Sequence, residues 1–147
     1  MPTIRPFTRE ESADFNRLCS LCFSYPLGEN DLYASEEDCR DSFALFDDAG
    51  KLQGGLIAHD FATTFCGREV RMAGIGGVVS RPEQRRQRTI RRVFERMLPV
   101  LYERGVTLSA LYPFSHEYYR KFGYEQCLNR RHASFPLEAL QGLESAG

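Results

Sequence analysis

Hydrophobic positions along the chain follow two periods, and the switches between them outline its elements. A short apolar-alternating piece, TIRPF, opens the chain, and Thr8 followed three residues later by Glu11 has the spacing of a capping box. This predicts a first strand and then a helix over residues 9–24, with Ala13, Phe15, Leu18, Cys19, Leu21 and Cys22 as its apolar positions. Tyr25-Pro26-Leu27-Gly28 ends that helix. Ser35 with Asp38 repeats the capping spacing and predicts a second, more polar helix over residues 35–41. From Phe43 the period falls to two. FALF, LQGGLIAHDFATTF and EVRMAGIGGVV, joined by turns near Gly50 and Gly67, predict three antiparallel strands. Gly76-Gly77 in the third predicts a bulge or a close approach. Helical period returns over residues 89–104, where Ile90, Val93, Phe94, Met97, Leu98, Leu101 and Tyr102 form one stripe and Pro99 predicts a bend. After Gly105, VTLSALYP predicts a strand reached by a parallel crossover. HEYYRKF predicts a short helix stopped by Gly123, and residues 124–135 predict a last strand.

With 147 residues, 42% of them hydrophobic and 12% aromatic, the chain has material for one core. The expected organisation is a single domain over residues 1–137, followed by a tail, 138–147, that could open a further domain. Nothing approaches the roughly 20 apolar residues of a membrane span, and MPTIRPFTREE lacks the apolar run of a signal peptide. A soluble, cytoplasmic protein without a membrane partner is the expectation. The five cysteines are an odd number scattered through core-like segments, which suits reduced thiols. Cys19 and Cys22 form a C-x-x-C, but no second close pair follows, and His59, His116 and His132 lack ligand spacing. No metal is expected, and His59 reads as a strand residue without chemistry.

Charge changes the picture in one place. The chain carries 19 basic and 20 acidic side chains, yet Arg81, Arg85, Arg86, Arg88, Arg91 and Arg92 crowd the junction between the third long strand and the long helix. A nucleic-acid surface needs a basic excess and a recognisable motif, and neither is present, so that reading ranks last. A turn at a helix N-terminus presents unpaired N–H groups and the positive end of the dipole, the ordinary setting for a bound phosphate.

Three stretches, RMAGIGGVVSRPEQRRQ, GVTLSALYP and YYRKFGYE, in this order of elements, resemble the Gcn5-related N-acetyltransferase (GNAT) superfamily. LSALYPFSHEYYRKFGYE further resembles the first domain of acetyltransferases of the enhanced-intracellular-survival (Eis) type, proteins that are typically much longer. The resemblance implies an α/β (α+β) fold with a mixed, mostly antiparallel, splayed sheet flanked by helices. It also implies acetyl-CoA as cosubstrate and a small-molecule amine or lysine-bearing acceptor, an aminoglycoside or a polyamine-like compound among them. Pantetheine, an amide chain, would add like a strand along residues 75–79, so Gly77, Val78 and Val79 are expected at the cofactor. Arg85, Arg86, Gln87, Arg88, Thr89 and Ile90 would cradle the pyrophosphate. The family's general-acid tyrosine falls on Tyr119, with Tyr118 as its neighbour. A phenol of pKa about 10 is close enough to a thiol to supply the proton that the departing thiolate needs.

The acidic residues Glu29, Asp31, Glu36 and Glu37 would draw a cationic amine, while His116 and Glu117 stand near the acid as base or amine ligand. Two departures from the pattern stand out. Arg88 occupies the family's first motif glycine, with Thr89 and Ile90 also off pattern; and where the resemblance to Eis-type proteins implies a terminal carboxylate delivered by a last domain as base, a chain ending at Gly147 is not expected to supply one in the same way. An N-acetyltransferase is therefore the first reading and a non-catalytic or weakly active module of a larger assembly the second. A homo-oligomer is compatible with both.

Overall fold

In the computed structural model, which describes residues 1–24, 26, 32–129 and 131–136, the chain divides into two compact units, 1–114 and 115–147. The first holds β1 (Thr3–Arg5), α1 (Arg9–Phe23), α2 (Glu36–Arg40), β2 (Ser42–Phe46), β3 (Leu52–Phe65), β4 (Arg68–Ser80), α3 (Thr89–Glu103) and β5 (Leu108–Leu111). The second holds α4 (His116–Arg120). The sheet order is β1-β2-β3-β4-β5, with four antiparallel strands and β5 parallel to β4, as a right-handed crossover through α3 requires.

Strand parity assigns the two faces. Ile57 and Val79 join Phe7, Phe15, Leu18 and Cys19 in a core beneath α1, while α3 turns Val93, Phe94, Met97 and Leu101 inward on the other side. α3 continues through Pro99, whose ring sits at an exposed position where the lost N–H costs least. Behind β3 and β4 on the α3 side, Asp41 holds Arg40 at 2.9 Å and Arg104 at 3.8 Å, and Asp60 holds Arg71 at 2.7 Å.

The α1 stripe differs from the expected one. Ala13 and Leu21 face outward, while Ser12 and Asn16 are buried with Phe15, Leu18 and Cys19. The reason is a specific polar contact. The Asn16 amide donates to the Ser12 and Tyr33 carbonyls at 3.0 and 2.8 Å and accepts from the Tyr33 N–H at 3.0 Å. A buried amide so satisfied costs little, and it fastens the backbone ahead of α2 to α1. The last strand expected over residues 124–135 is also absent. The described residues there form no regular structure, and Leu128 and Phe135 are exposed, so no apolar face is buried to stabilise a strand.

Both capping boxes form, Thr8 with Glu11 and Ser35 with Asp38. Glu11 has a second partner: Arg5, stacked 3.8 Å over the Phe46 ring, donates to its two carboxylate oxygens at 2.8 and 2.6 Å. The guanidinium, helped by the Thr8 N–H, holds the Glu11 carboxyl down at about 2. A carboxyl depressed below its unfolded value of about 4.3 stabilises the fold above that pH and loses the contribution as pH falls. Denaturant unfolding between pH 6 and 2 is expected to show wild type more stable than Glu11→Gln near neutrality, with the two curves converging as pH drops from about 4.3 toward 2.

Candidate active site

Opposite Gly55 and Ile57 of β3, β4 advances from Val79 to Gly76, so one residue more lies on β4 than on β3. Gly77, at φ +59°, carries that bulge. A β-carbon there would lie 3.1 Å from Phe15 and 3.3 Å from Tyr33, so the backbone conformation and the packing both call for glycine. The bulge turns Gly76 and Gly77 to the same face, the one that carries Tyr33 and Phe15. Beside it the sheet opens: β4 pairs with β5 only from Met72↔Leu108 to Ile75↔Leu111 and then runs five residues further, to Ser80. Among the described residues no strand takes up that edge.

At the mouth of the splay lies an open cavity of about 360 Å³, lined by His59, Phe61, Gly74, Gly76, Leu111 and Tyr112 among others. The sequence reading assigned nothing to His59. In the structure its Nδ1 stands 3.6 Å from an Asp38 carboxylate oxygen, and its Nε2 would be 3.4 Å from a β-carbon on Gly76. Strand parity was the available signal, because His59 shares the face of Ile57 and Phe61 opposite a glycine-rich strand.

At the far end of the free edge, β4 passes through a 3-10 turn (Pro82–Gln84) into α3. Arg81 is tied down: its Nε and N–H donate to the Leu52 and Gln53 carbonyls. Arg91 pairs with Glu95 at 2.8 Å. Arg85, Arg86, Arg88 and Arg92 are exposed and enter no ion pair among the described residues. Arg86 (φ 67°) and Arg88 (φ 61°) are both in the left-handed region. Arg88 is the N-cap of α3 without a side-chain cap, and its carbonyl accepts the first helical bond, from Arg92, which leaves the preceding N–H groups without intrahelical partners. Val79, Thr89 and Ile90 are buried, so their side chains are withdrawn from solvent; Val78 and Gln87 are more open, with Gln87 bonded to the Glu83 carbonyl at 3.2 Å.

In the second unit, Ser115 caps α4 through the Tyr118 N–H at 3.2 Å. Tyr119 is buried, its ring 5.2 Å from Tyr118 and 6.3 Å from Tyr124. Burial, with Tyr118 and Tyr124 adding, pushes its hydroxyl up to about 12, and burial also raises Tyr118. His116 and Glu117 are exposed in the first turn of α4, and Glu36 is exposed at the start of α2. Glu29 and Asp31 lie outside the described residues.

The family model for the acetyltransferase (GNAT) domain matches residues 3–127. The chain belongs to the GNAT acetyltransferase family. A probable N-acyltransferase from Enterococcus faecalis is 32% identical over 86% of this chain and 33% of its own, with a TM-score of 0.76. Eis1 from Mycobacterium abscessus matches 84% of this chain and 31% of its own at 21% identity and a TM-score of 0.71. Glucosamine-6-phosphate N-acetyltransferase from Arabidopsis thaliana matches 92% of this chain and 99% of its own at 14% identity and a TM-score of 0.69. The chain thus spans about a third of the first two and nearly all of the third, and the last two likenesses speak to the fold. Comparison with curated proteins found no match. No helix among the described residues is long and apolar enough to cross a membrane.

The GNAT turn of this chain therefore holds an arginine in a conformation that costs a non-glycine residue roughly 1–2 kcal/mol. Arg88→Gly should raise stability by about 1 kcal/mol, after allowing for the greater entropy of glycine in the unfolded chain. Urea unfolding of the two proteins measures the difference; Arg88→Val, β-branched at the same φ, is expected to lower it.

Proposed function

We propose that this GNAT domain moves the acetyl group of acetyl-CoA to a primary amine by direct attack of the amine on the thioester. One observation carries the reading: the unpaired edge of β4 leads from the splay straight into an arginine-rich, hydrogen-bond-deficient helix start. A pantetheine chain is amide-rich and a pyrophosphate is anionic, so the two ends of that edge match the two ends of the cosubstrate. Gly77 and Val78 with the Val79 backbone would take the pantetheine. The main chain from Arg88 to Ile90, with the side chains of Arg85, Arg86, Gln87 and Arg88, would take the phosphates. Acetyl-CoA supplies an activated acyl group with a thiolate leaving group, and no metal is required.

Tyr119 is the proposed general acid, on the resemblance of YYRKFGY to the family pattern. Its raised hydroxyl stays protonated through the neutral range, so the acid form is always present, at some cost in driving force toward a thiolate. Glu36, His116, Glu117 and, beyond the described residues, Glu29 are assigned to the acceptor side, with an aminoglycoside, a polyamine or a lysine side chain as acceptor. The free cysteines suit a reducing compartment, the cytoplasm.

Acetyl-CoA is expected to raise the melting temperature of the protein, because a ligand that binds only the native state must stabilise it. No shift at saturating acetyl-CoA would favour a non-catalytic module, a reading to which the strained Arg88 gives some support. In a thiol-release assay over a panel of amines, Tyr119→Phe should lower the rate at least about tenfold, and Tyr118→Phe should not. Loss of a hydroxyl proton ends acid catalysis only above its pKa, so no falling limb due to Tyr119 is expected until pH nears 12.

A further inference from the structure

The geometry points to His59 as the proton acceptor for the attacking amine, with Asp38 as the residue that positions it; this rests on the acetyltransferase reading above. A primary amine is an ammonium ion at neutral pH and must lose a proton before its lone pair can attack a carbonyl. The base has to stand beside the place where the thioester enters the sheet. His59 meets that requirement through three independent contacts.

First, the two ring nitrogens point to different partners. Nδ1 faces Asp38 at 3.6 Å, and Asp38 is itself held by α2, where its second oxygen accepts the Ser35 N–H at 3.2 Å as part of the capping box. At 3.6 Å the Asp38 carboxylate is beyond hydrogen-bond distance of Nδ1, but its negative charge favours the tautomer with the proton on that nitrogen, which leaves Nε2 as the acceptor. Second, Nε2 lies over Gly76, the residue where pairing between β4 and β5 has just ended; a β-carbon there would stand 3.4 Å from it, in ordinary contact, so the nitrogen borders the start of the unpaired stretch. Third, the ring forms one wall of the cavity at the splay, beside Phe61 and Tyr112, so an acceptor entering there meets Nε2.

The groups around the imidazole are few. Asp38 approaches it from α2, and Tyr33, with its ring centroid 6.1 Å away, approaches from the segment ahead of α2; its hydroxyl would stand 3.6 Å from the same Gly76 β-carbon. Opposite, β4 offers only Gly74 and Gly76, and β5 leads to Tyr112 at the cavity rim. Among the described residues Asp38 is thus the one charged side chain facing the ring, and burial, Cys19 and Asp38 together raise the Tyr33 hydroxyl, which stays protonated.

The step balances. The ammonium gives one proton to His59 Nε2; the freed amine nitrogen bonds to the carbonyl carbon; the carbon–sulfur bond breaks as the thiolate takes the proton of the general acid and leaves as CoA-SH; the nitrogen gives up its second proton, which restores the general acid by way of solvent, and a neutral amide results. The imidazolium then returns its proton to solvent.

The test compares wild type, His59→Gln and Asp38→Asn from pH 6 to 10, with acetyl-CoA and whichever of spermidine, kanamycin or 2-phenylethylamine wild type uses best. At pH 7, kcat/KM of His59→Gln is expected to fall about 100-fold, in the range of a lost general base, and that of Asp38→Asn about tenfold, asparagine keeping an oxygen for the Ser35 cap. Both losses should shrink as pH rises toward the pKa of the amine, where free amine no longer needs a base. The melting shift with acetyl-CoA should be unchanged. As a readout independent of turnover, the His59 imidazole Cε1–H resonance should move when the amine is added to the CoA complex, while that of His132 stays put. A loss equal at pH 7 and 10, a His59→Gln rate within twofold of wild type, or a still His59 resonance would overturn the assignment while leaving the acetyltransferase reading standing. Absence of both thiol release and a melting shift in wild type would remove that reading, and the role of His59 with it.

Discussion

One surplus residue on β4, accommodated at Gly77, is the constraint on which the site depends. Because β4 has one residue more than β3 between Gly76 and Val79, it must bend out of register. The bend brings two consecutive glycines to the α1 face, lets Phe15 and Tyr33 close over the second, and sets His59 beside the first. β5 follows β4 only as far as Ile75, and beyond it, among the described residues, the unpaired edge begins. Any side chain at Gly77 would have to adopt a left-handed φ and displace Phe15, which is buried at the centre of the core. The core and the unpaired edge of β4 are held by the same residue.

Packing carries the same logic outward. α1 reaches the bulge with Phe15 and, with the next residue, Asn16, fastens Tyr33, so the segment leading into α2 is fixed relative to the bulge by a buried amide. α2 then holds Asp38 against His59. A chain of contacts therefore runs from the first helix to the cavity without passing through any loop free of tertiary bonds. Asp38 is the charged member of that chain, while the Asp41 and Asp60 pairs lie behind the sheet and the exposed arginines in the turn before α3.

Most of the first unit was legible in the sequence because its signals are local. Capping boxes at Thr8 and Ser35, period-two runs from Phe43, and the stripe of α3 each specify an element within a few residues, and GG in AGIGGVV announced the bulge. What escaped was whatever depends on a distant partner. Asn16 reads as a solvated helix position until Tyr33 is brought to it, and His59 reads as a strand residue until β4 presents glycines opposite. Residues 124–135 have the length of a strand but leave Leu128 and Phe135 exposed, and length without a buried face does not make one. The arginine turn was found by composition, yet the backbone at Arg86 and Arg88 could not be read there, since nothing in an arginine announces a left-handed φ.

That turn also gives the molecule an electrical shape. The whole chain is close to neutral, at −1, so several Debye lengths away it exerts almost no pull on an anion. Within about 8 Å of the turn, however, four guanidiniums without carboxylate partners and the aligned peptide dipoles of α3 act together. On the reading proposed above, a phosphate-bearing cosubstrate would not be attracted from afar but would be rotated on close approach, phosphates first, with its uncharged arm trailing along β4 toward the splay. Encounter geometry would then be set by this local field before any hydrogen bond formed, and added salt would weaken that alignment sooner than the seated contacts.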